Sequence, residues 1–243
     1  MIKIEKTEVH GFEAAIRGMR NPMNSWEKSD SCYCPFDDCL HITNKTDPVR
    51  PCNDGTFGFC IGENDFQLMK NLSAAGNDHS KYLRMINVTC DITAPLYWWK
   101  EFDTYKVGTV ANSCSTMHKI HVKEFKLEDF SCEHLFDGVG FDEGQDDFEY
   151  SDTSTSCLIY TIQLLNFHRK KYIETKDKRY WWQMIQLLPS SYNQKRTVQM
   201  NYQVLKNMYR ARKNHKLDEW RQFCEWIETL PYKELITGDT EKE

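Results

Sequence analysis

The residues in this chain with the most obvious chemistry to offer are its cysteines. Five of the ten fall between Cys32 and Cys60, with His41 among them. The run Cys32-x-Cys34-x4-Cys39-x-His41, followed by Cys52 and Cys60, brings together thiolates and an imidazole, the ligand types of a zinc site. The spacing departs from paired C-x2-C knuckles. Free or buried thiols in a loop are therefore the stronger expectation, zinc is the lesser one, and no metal ligand is assigned. A second source of chemistry is cationic. From Arg169 to Arg221 basic residues far outnumber acidic ones. Focused positive charge of this kind suits an anionic small ligand such as a nucleotide phosphate; the plain alternative is a set of solvated helix faces. Trp98 and Trp99 offer ring faces for stacking, although adjacent aromatics at a helix start more often fill a core.

These residues need a framework, and the composition supplies one. The chain has 243 residues, 40% hydrophobic and 13% aromatic, enough for a packed core and too much for global disorder. A single domain over residues 1–243 is expected, with a Cys-rich loop or insertion at about 28–63 and an acidic connection at about 133–153. The formal net charge of −5 argues against a nucleic-acid coat or a binder of anionic membranes. Residues 133–152 hold eight carboxylates and no Lys or Arg. No stretch approaches the roughly 20 apolar residues of a membrane span. The first ten residues alternate charged with apolar residues, unlike a signal peptide. A cytoplasmic location is expected, which makes the N-x-[S/T] matches at Asn44, Asn71 and Asn87 accidental.

Hydrophobic spacing then gives the elements. Residues 1–9 read as a strand with Ile2 and Ile4 on one face, and Phe12–Arg17 as a helical turn ended near Gly18. Asp65 is expected to cap a helix through Ala75, with Leu68, Leu72 and Ala75 on one side and Gly76 as its stop. Tyr82–Ile92 alternates as a strand with Ile86, Val88, Cys90 and Ile92 facing one way. Ala94-Pro95 opens a helix carrying Trp98, Trp99, Phe102 and Tyr105, and Gly108 ends it. Helices are expected over roughly 155–171, 177–188 and 196–213, the third with an apolar stripe of Val198, Leu205 and Met208. A last helix at about 217–229 buries Trp220, Phe223, Ile227 and Leu230 and stops at Pro231, and the tail beyond Thr237 is expected to fray. The pattern is α/β in the first half and helical in the second.

Two segments resemble the flavin-dependent thymidylate synthases of the ThyX type. That family has a histidine-led H-E-T-P-F-x-H segment, a strand, an Ala-Pro helix start and then R-H-R-x-x-S-x-N-x-x-S-x-R-Y. Here the corresponding text is His79-Ser80-Lys81-Tyr82-Leu83-Arg84, a strand, Ala94-Pro95, then Thr104-Tyr105-Lys106 and Asn112-Ser113-Cys114-Ser115. His79 to Lys106 needs no gap, and one inserted residue restores the N-x-x-S register at Asn112 and Ser115. In the second segment, Leu188-Pro189, Met200-Asn201-Tyr202-Gln203-Val204-Leu205 and Arg212 match L-P…V-N-x-R-x-L…L-R at identical spacing. His215 and Glu219 resemble H-A-Q-x-E with a one-residue shift. Together the segments cover about a third of the chain. The stretch Ala94–Asp103 looks like a divergent, largely bacterial and phage-borne branch.

The resemblance implies a ThyX-like fold, a central sheet with a helical C-terminal half, in a homotetramer with flavin at subunit junctions. It implies reductive methylation of dUMP to dTMP, with methylenetetrahydrofolate as one-carbon donor, reduced FAD as hydride source and NADPH to reduce the flavin. Arg212 matches the arginine that contacts the uracil ring, where a fixed guanidinium stabilises developing negative charge. Ser115, with Asn112, matches the motif near the nucleotide, and Lys100 and Glu101 stand where the family has an R-Q pair. His79, Thr104, Tyr105, Lys106, Asn201 and Gln203 match flavin-side positions. The departures are specific. Met117 replaces the arginine that grips the phosphate, Gln203 replaces another arginine, and Thr104-Tyr105-Lys106 keeps one cation of R-H-R. Losing two charge-assisted bonds would cost roughly two to four decades in dUMP affinity. Two alternatives follow: one-carbon transfer to another pyrimidine nucleotide, and a non-catalytic nucleotide-binding or interaction module.

Overall fold

The protein is described from a computed structural model over residues 1–33, 59–136 and 153–238. Cys34, Cys39, His41 and Cys52, most of the acidic 133–152 stretch and the end of the C-terminal tail lie outside those residues. Among the described residues no three His, Cys, Asp or Glu side chains cluster as metal ligands. No described helix is long and apolar enough to cross a membrane.

Strand β1 (Lys3–His10) leads into helix α1 (Phe12–Arg20), which runs through Gly18 and does not stop there. The helix continues because its buried face, Phe12, Ala15, Ile16 and Met19, recurs at helical spacing. Gly18 has no side chain to obstruct Met85, whose Sδ lies 3.0 Å from where a Cβ would stand. Two short strands, β2 (Cys32–Tyr33) and β3 (Phe59–Cys60), pair antiparallel with Cys32 opposite Cys60 and Tyr33 opposite Phe59.

Helix α2 (Glu63–Ala74) corrects two expectations. Its N-cap is Gly62, and Asp65 is not a cap. Asp30 does the capping from outside, its carboxylate accepting from Asn64 N at 2.8 Å and Asp65 N at 3.0 Å. The buried face carries Phe66, Met69 and Ser73, with Leu68 and Leu72 only half-buried. Asp65 itself is fully buried and pairs with Arg20, Nη2 to Oδ1 at 2.6 Å. Its other oxygen accepts from the hydroxyls of Ser29 and Ser31, each at 2.6 Å. Burial pushes this carboxyl up, but those hydroxyls and the guanidinium outweigh it and hold its pKa below the ordinary value.

The expected strand over Tyr82–Ile92 is shorter at its start: Lys81–Arg84 form a 3-10 turn, and strand β4 (Asn87–Pro95) begins after Ile86, burying Val88, Cys90 and Ile92 by alternation, with Asp91 buried as well. The strand continues through Ala94-Pro95, so helix α3 (Leu96–Phe102) starts one residue later and stops short of Tyr105. Trp98, Trp99 and Phe102 are all but fully buried and pack edge to face or tilted, so the tryptophan pair is core. Strand β5 (Thr109–Ser113) follows. Helix α4 (Ser154–Thr175) is capped by Thr153, whose hydroxyl accepts from Ser156 N, and α5 (Lys178–Leu187) by Asp177, whose carboxylate accepts from Arg179 N.

The first third of the expected third helix is strand. Residues 193–201 form β6 (Asn193–Asn201), and helix α6 (Tyr202–Arg212) begins only afterwards. The period is two over this stretch: Gln194, Val198 and Met200 are buried while Thr197 and Gln199 are exposed. Helices α7 (Asp218–Ile227) and α8 (Glu234–Thr237) complete the chain, with Trp220, Phe223, Ile227 and Leu230 buried as expected.

Four strands form a sheet in the order β1-β4-β6-β5. Together with the helices this is the mixed α/β architecture anticipated from sequence. The chain divides into two compact units, with boundaries inside β4 and β6. One comprises Met1–Lys3, Thr93–Phe102 and Ser113–Arg196. Its core gathers Ile120, Phe125, Phe130, Leu158, Ile162, Leu165 and Met184. The other comprises Ile4–Ile92, Asp103–Asn112 and Thr197–Glu243, with Phe12, Phe66, Leu83, Tyr202, Leu205, Met208 and Phe223 among its buried side chains.

Candidate functional site

In the second unit, β6 gives way to α6 at Asn201, and this junction organises the candidate residues. Asn201 is the N-cap, its Oδ1 accepting from Val204 N at 2.9 Å, which satisfies one of the helix's first amides. Its own N–H donates to Gly108 O at 3.3 Å. Gly108 has φ +84°, and a Cβ there would stand 2.5 Å from Asn201 Nδ2. A glycine is therefore demanded twice, by the left-handed backbone and by the close amide. Through this contact the Thr104–Gly108 segment is brought against the start of α6. The Thr109 hydroxyl closes the same segment by donating to Tyr105 O.

Arg212 stands at the other end of α6, where a cation is favoured by the helix dipole. Its Nε donates to the Tyr105 hydroxyl at 3.0 Å. Its guanidinium carbon lies 4.7 Å from the centroid of the Trp220 ring and 5.7 Å from that of Tyr105. The two rings meet edge to face at 6.1 Å, and Phe223 packs on Trp220 at 5.7 Å. Such cation–π contacts are worth about 0.5–2 kcal/mol, and with the Tyr105 bond they hold a half-buried guanidinium in one orientation. His215 N donates to Arg212 O at 2.9 Å, and the His215 ring lies 6.3 Å from Trp220.

Behind this face α6 is anchored by a buried amine. Lys206 is 4% exposed, and its Nζ donates to Ser73 O at 2.7 Å and to Ser73 Oγ at 2.5 Å. Burial, with Arg210 nearby, pushes its pKa down to about 8.

The sequence candidates of this unit therefore divide. Arg212 meets Tyr105 at one end of α6 and Asn201 meets Gly108 at the other, so the Thr104–Gly108 segment touches the helix at both ends. Thr104, Lys106 and Asn112 are exposed on the same segment and its continuation. His79 is exposed in the turn after α2. Gln203 is 6% exposed, and its amide is occupied internally. Oε1 accepts from Ser80 Oγ at 2.9 Å, and Nε2 donates to the side-chain oxygens of Asn77 and Asn207 at 3.3 Å each.

The first unit holds the other candidates. Lys100 is exposed and Glu101 half-buried on α3. Ser115 is exposed, and its hydroxyl oxygen accepts from Met117 N at 3.2 Å and His118 N at 2.8 Å, which makes it the hub of a tight turn. That turn hangs from β6. Cys114 N donates to Lys195 O at 2.9 Å, and Cys114 O accepts from Gln194 Nε2 at 2.7 Å. Arg196 lies over the Trp99 ring, its guanidinium carbon 4.2 Å from the centroid, and its Nε donates to Gln194 Oε1 at 3.0 Å.

Spacing alone does not single out Gln194 or Arg196: Gln194 falls between the helices expected over 177–188 and 196–213, and Arg196 at the first residue of the second. The period-two burial was the signal that would have exposed them. Trp220 was read as core alone, and its second role as a platform for Arg212 depends on a contact that no spacing reveals.

No protein-family model matches the sequence, and no curated protein matches it. Solved structures do match. The flavin-dependent thymidylate synthase ThyX from Helicobacter pylori, complexed with FAD and dUMP, superposes with a TM-score of 0.61 at 16% identity, covering 97% of this chain and 98% of that one. A second structure of that enzyme with FAD and dUMP gives 0.61 over 98% of both chains. A UMP/dUMP methylase, PolB from Streptomyces cacaoi, bound with 5-Br dUMP, gives 0.53 at 12% identity over 98% of this chain and 95% of that one. At these identities the likeness speaks to architecture, and it bears out the resemblance read from His79–Ser115 and Leu188–Arg212: this chain has the fold of the flavin-dependent thymidylate synthases.

Proposed function

We propose that the protein binds a pyrimidine deoxynucleotide and FAD and catalyses reductive methylation of dUMP to dTMP. The observation that carries this reading is the Arg212 guanidinium, fixed by the Tyr105 hydroxyl and the Trp220 ring in the segment that matches the family's motif. A guanidinium with its geometry set in advance loses no orientation energy when negative charge develops on a pyrimidine ring beside it. The donor set also fits a flavin in kind: the Asn201 amide and the exposed Lys106 offer hydrogen bonds and charge to a ring edge and an anionic tail. Bound FAD would supply the hydride, with NADPH and methylenetetrahydrofolate as co-substrates. The chain's own contribution is narrower. Arg212 orients the base and Asn201 holds the Gly108 turn in register, while Ser115 is a nucleotide-side residue by the motif match alone. By the same family likeness we propose a cytoplasmic homotetramer.

The first test is the absorption of the purified protein between 350 and 500 nm after incubation with FAD and gel filtration. Retained flavin, followed by dTMP formation that Arg212→Ala abolishes, supports the reading. A folded protein that stays colourless sinks it and leaves a non-catalytic nucleotide-binding module. A second reading is favoured by one feature: Met117, 49% exposed, occupies the family's phosphate-gripping arginine position. On that reading the nucleotide is a modified or different pyrimidine, and dUMP binds no better than UMP or a 5-substituted analogue.

A further inference from the structure

We infer that Gln194 is a positioning residue for the nucleotide site, its buried amide fixing the Ser115 turn and the Arg196 guanidinium at a set spacing along β6. This rests on the nucleotide reading above. Gln194 is 7% exposed, and an amide buried that deeply must satisfy its donor and acceptor within the protein. It does so on two different polar elements. Nε2 donates to Cys114 O at 2.7 Å, immediately before Ser115, while Oε1 accepts from Arg196 Nε at 3.0 Å. The backbone of the same residue takes a third partner, Trp99 Nε1 donating to Gln194 O at 2.9 Å, and Trp99 is the ring on which Arg196 lies.

The Cys114 peptide is consequently clamped on both sides, by Lys195 O through its N–H and by Gln194 through its C=O. Only the second clamp depends on a side chain. Ser115 accepts through its oxygen from Met117 N and His118 N, so its hydroxyl hydrogen is what it has left to donate. A hydrophobic residue at 194 would fill the same space but hold neither group. An amide that merely filled core would find its partners within the sheet ladder. This one ties a surface turn 80 residues away to a ring-stacked guanidinium.

The test compares dUMP affinity by calorimetry, and hydrogen exchange over residues 113–118, in the wild type, Gln194→Met, Gln194→Glu and a core control, Met184→Ala. Gln194→Met is expected to weaken dUMP about tenfold, the scale of one positioned hydrogen bond, and to speed exchange at the Met117 and His118 amides. Gln194→Glu keeps the acceptor for Arg196, loses the donor to Cys114, and is expected to reproduce the faster exchange. Met184→Ala, at a comparable loss of melting temperature, is expected to leave both readouts unchanged. Equal effects from Met184→Ala, or no effect of Gln194→Met on either readout, overturn the inference. If the wild type binds no dUMP, the nucleotide reading fails separately. Exchange then decides: faster exchange in Gln194→Met sustains the positioning role, and unchanged exchange overturns it. Should Gln194→Met not fold, Gln194→Glu carries the same comparison.

Discussion

Arg212 and Ser115 are fixed by different means. Arg212 sits at the end of a regular helix and is gripped by side chains, a tyrosine hydroxyl on one side and a tryptophan face on the other. Ser115 sits in an exposed turn shaped by its own hydroxyl, by the Gln194 amide from β6, and by the Trp181 indole, which donates to Met117 O at 3.0 Å. The first arrangement tolerates change around it, because rings and helix hold the guanidinium whatever stands at Thr104 or Lys106. The second depends on individual hydrogen bonds from α5 and β6. Kept and rewritten positions of the family signature occur in both regions: Asn201, Arg212 and Ser115 keep their residue types, while Tyr105, Gln203 and Met117 depart from it.

Four experiments press on that contrast. On the nucleotide reading, Arg212→Ala is expected to cost about a hundredfold in dUMP affinity. Arg212→Lys should recover little of it, because an ammonium cannot reproduce both the Nε bond and the ring contact. Recovery by lysine would show that charge alone matters and would dissolve the distinction. Gly108→Ala is expected to destabilise the protein by about 1–3 kcal/mol in urea titration. Gly76→Ala is its control, since that glycine also has a positive φ, +109°, but meets nothing within 4 Å. A clear excess for Gly108 isolates the Asn201 contact; equal losses would mean that backbone strain is the whole effect.

Lys206 tests the anchoring of α6 through pH. Its folded pKa, about 8, lies below the roughly 10.4 of an unfolded lysine, so folding disfavours its charged form. Between those values the unfolded chain binds more protons, and this group's contribution to stability rises with pH. Below about pH 8 the cost is present in full, and above about 10.4 it is gone. The Cys90 and Cys224 thiols, pushed up by burial to about 12 and 11, act in the opposite sense at alkaline pH. The effect is therefore read as wild type minus Lys206→Met, an expected gain of about 1–2 kcal/mol from pH 7.5 to pH 10. A flat difference would mean that the Ser73 bonds fully offset the burial. The smallest effect is expected from Ser115→Ala, about fivefold in dUMP affinity with little change in melting temperature. A loss as large as that of Arg212→Ala would invert the comparison.

Much of the fold was legible in residue periodicity. The alternation of Val88, Cys90 and Ile92 and the stripe of Trp220, Phe223 and Ile227 each follow one period. The misreadings came where two signals overlapped. Val198, Leu205 and Met208 suit one helix at spacing seven and three, yet Val198 belongs to a strand and the other two to the helix after it. At Gly18 a local stop signal lost to the burial of Met19. At Asp65 a plausible cap proved to be the partner of Arg20, a contact 45 residues distant. For the site, residue types at motif spacing located Arg212, Asn201 and Tyr105, but Trp220 as a platform and Gln194 as a clamp arise from contacts between segments far apart in sequence.

The paired ends Tyr33 and Phe59 have a consequence for how this chain can change. Because Cys32 faces Cys60 and Tyr33 faces Phe59, residues 33 and 59 stand side by side like the posts of a doorway. Asp65, Ser29, Ser31 and Asp30 lock both sides of that doorway from within. The doorway and the buried carboxylate act as one buckle, since Asp65 ties residues 29–31 to the start of α2. A single change at Asp65 would therefore loosen that buckle while leaving Tyr33 and Phe59 with their own pairing.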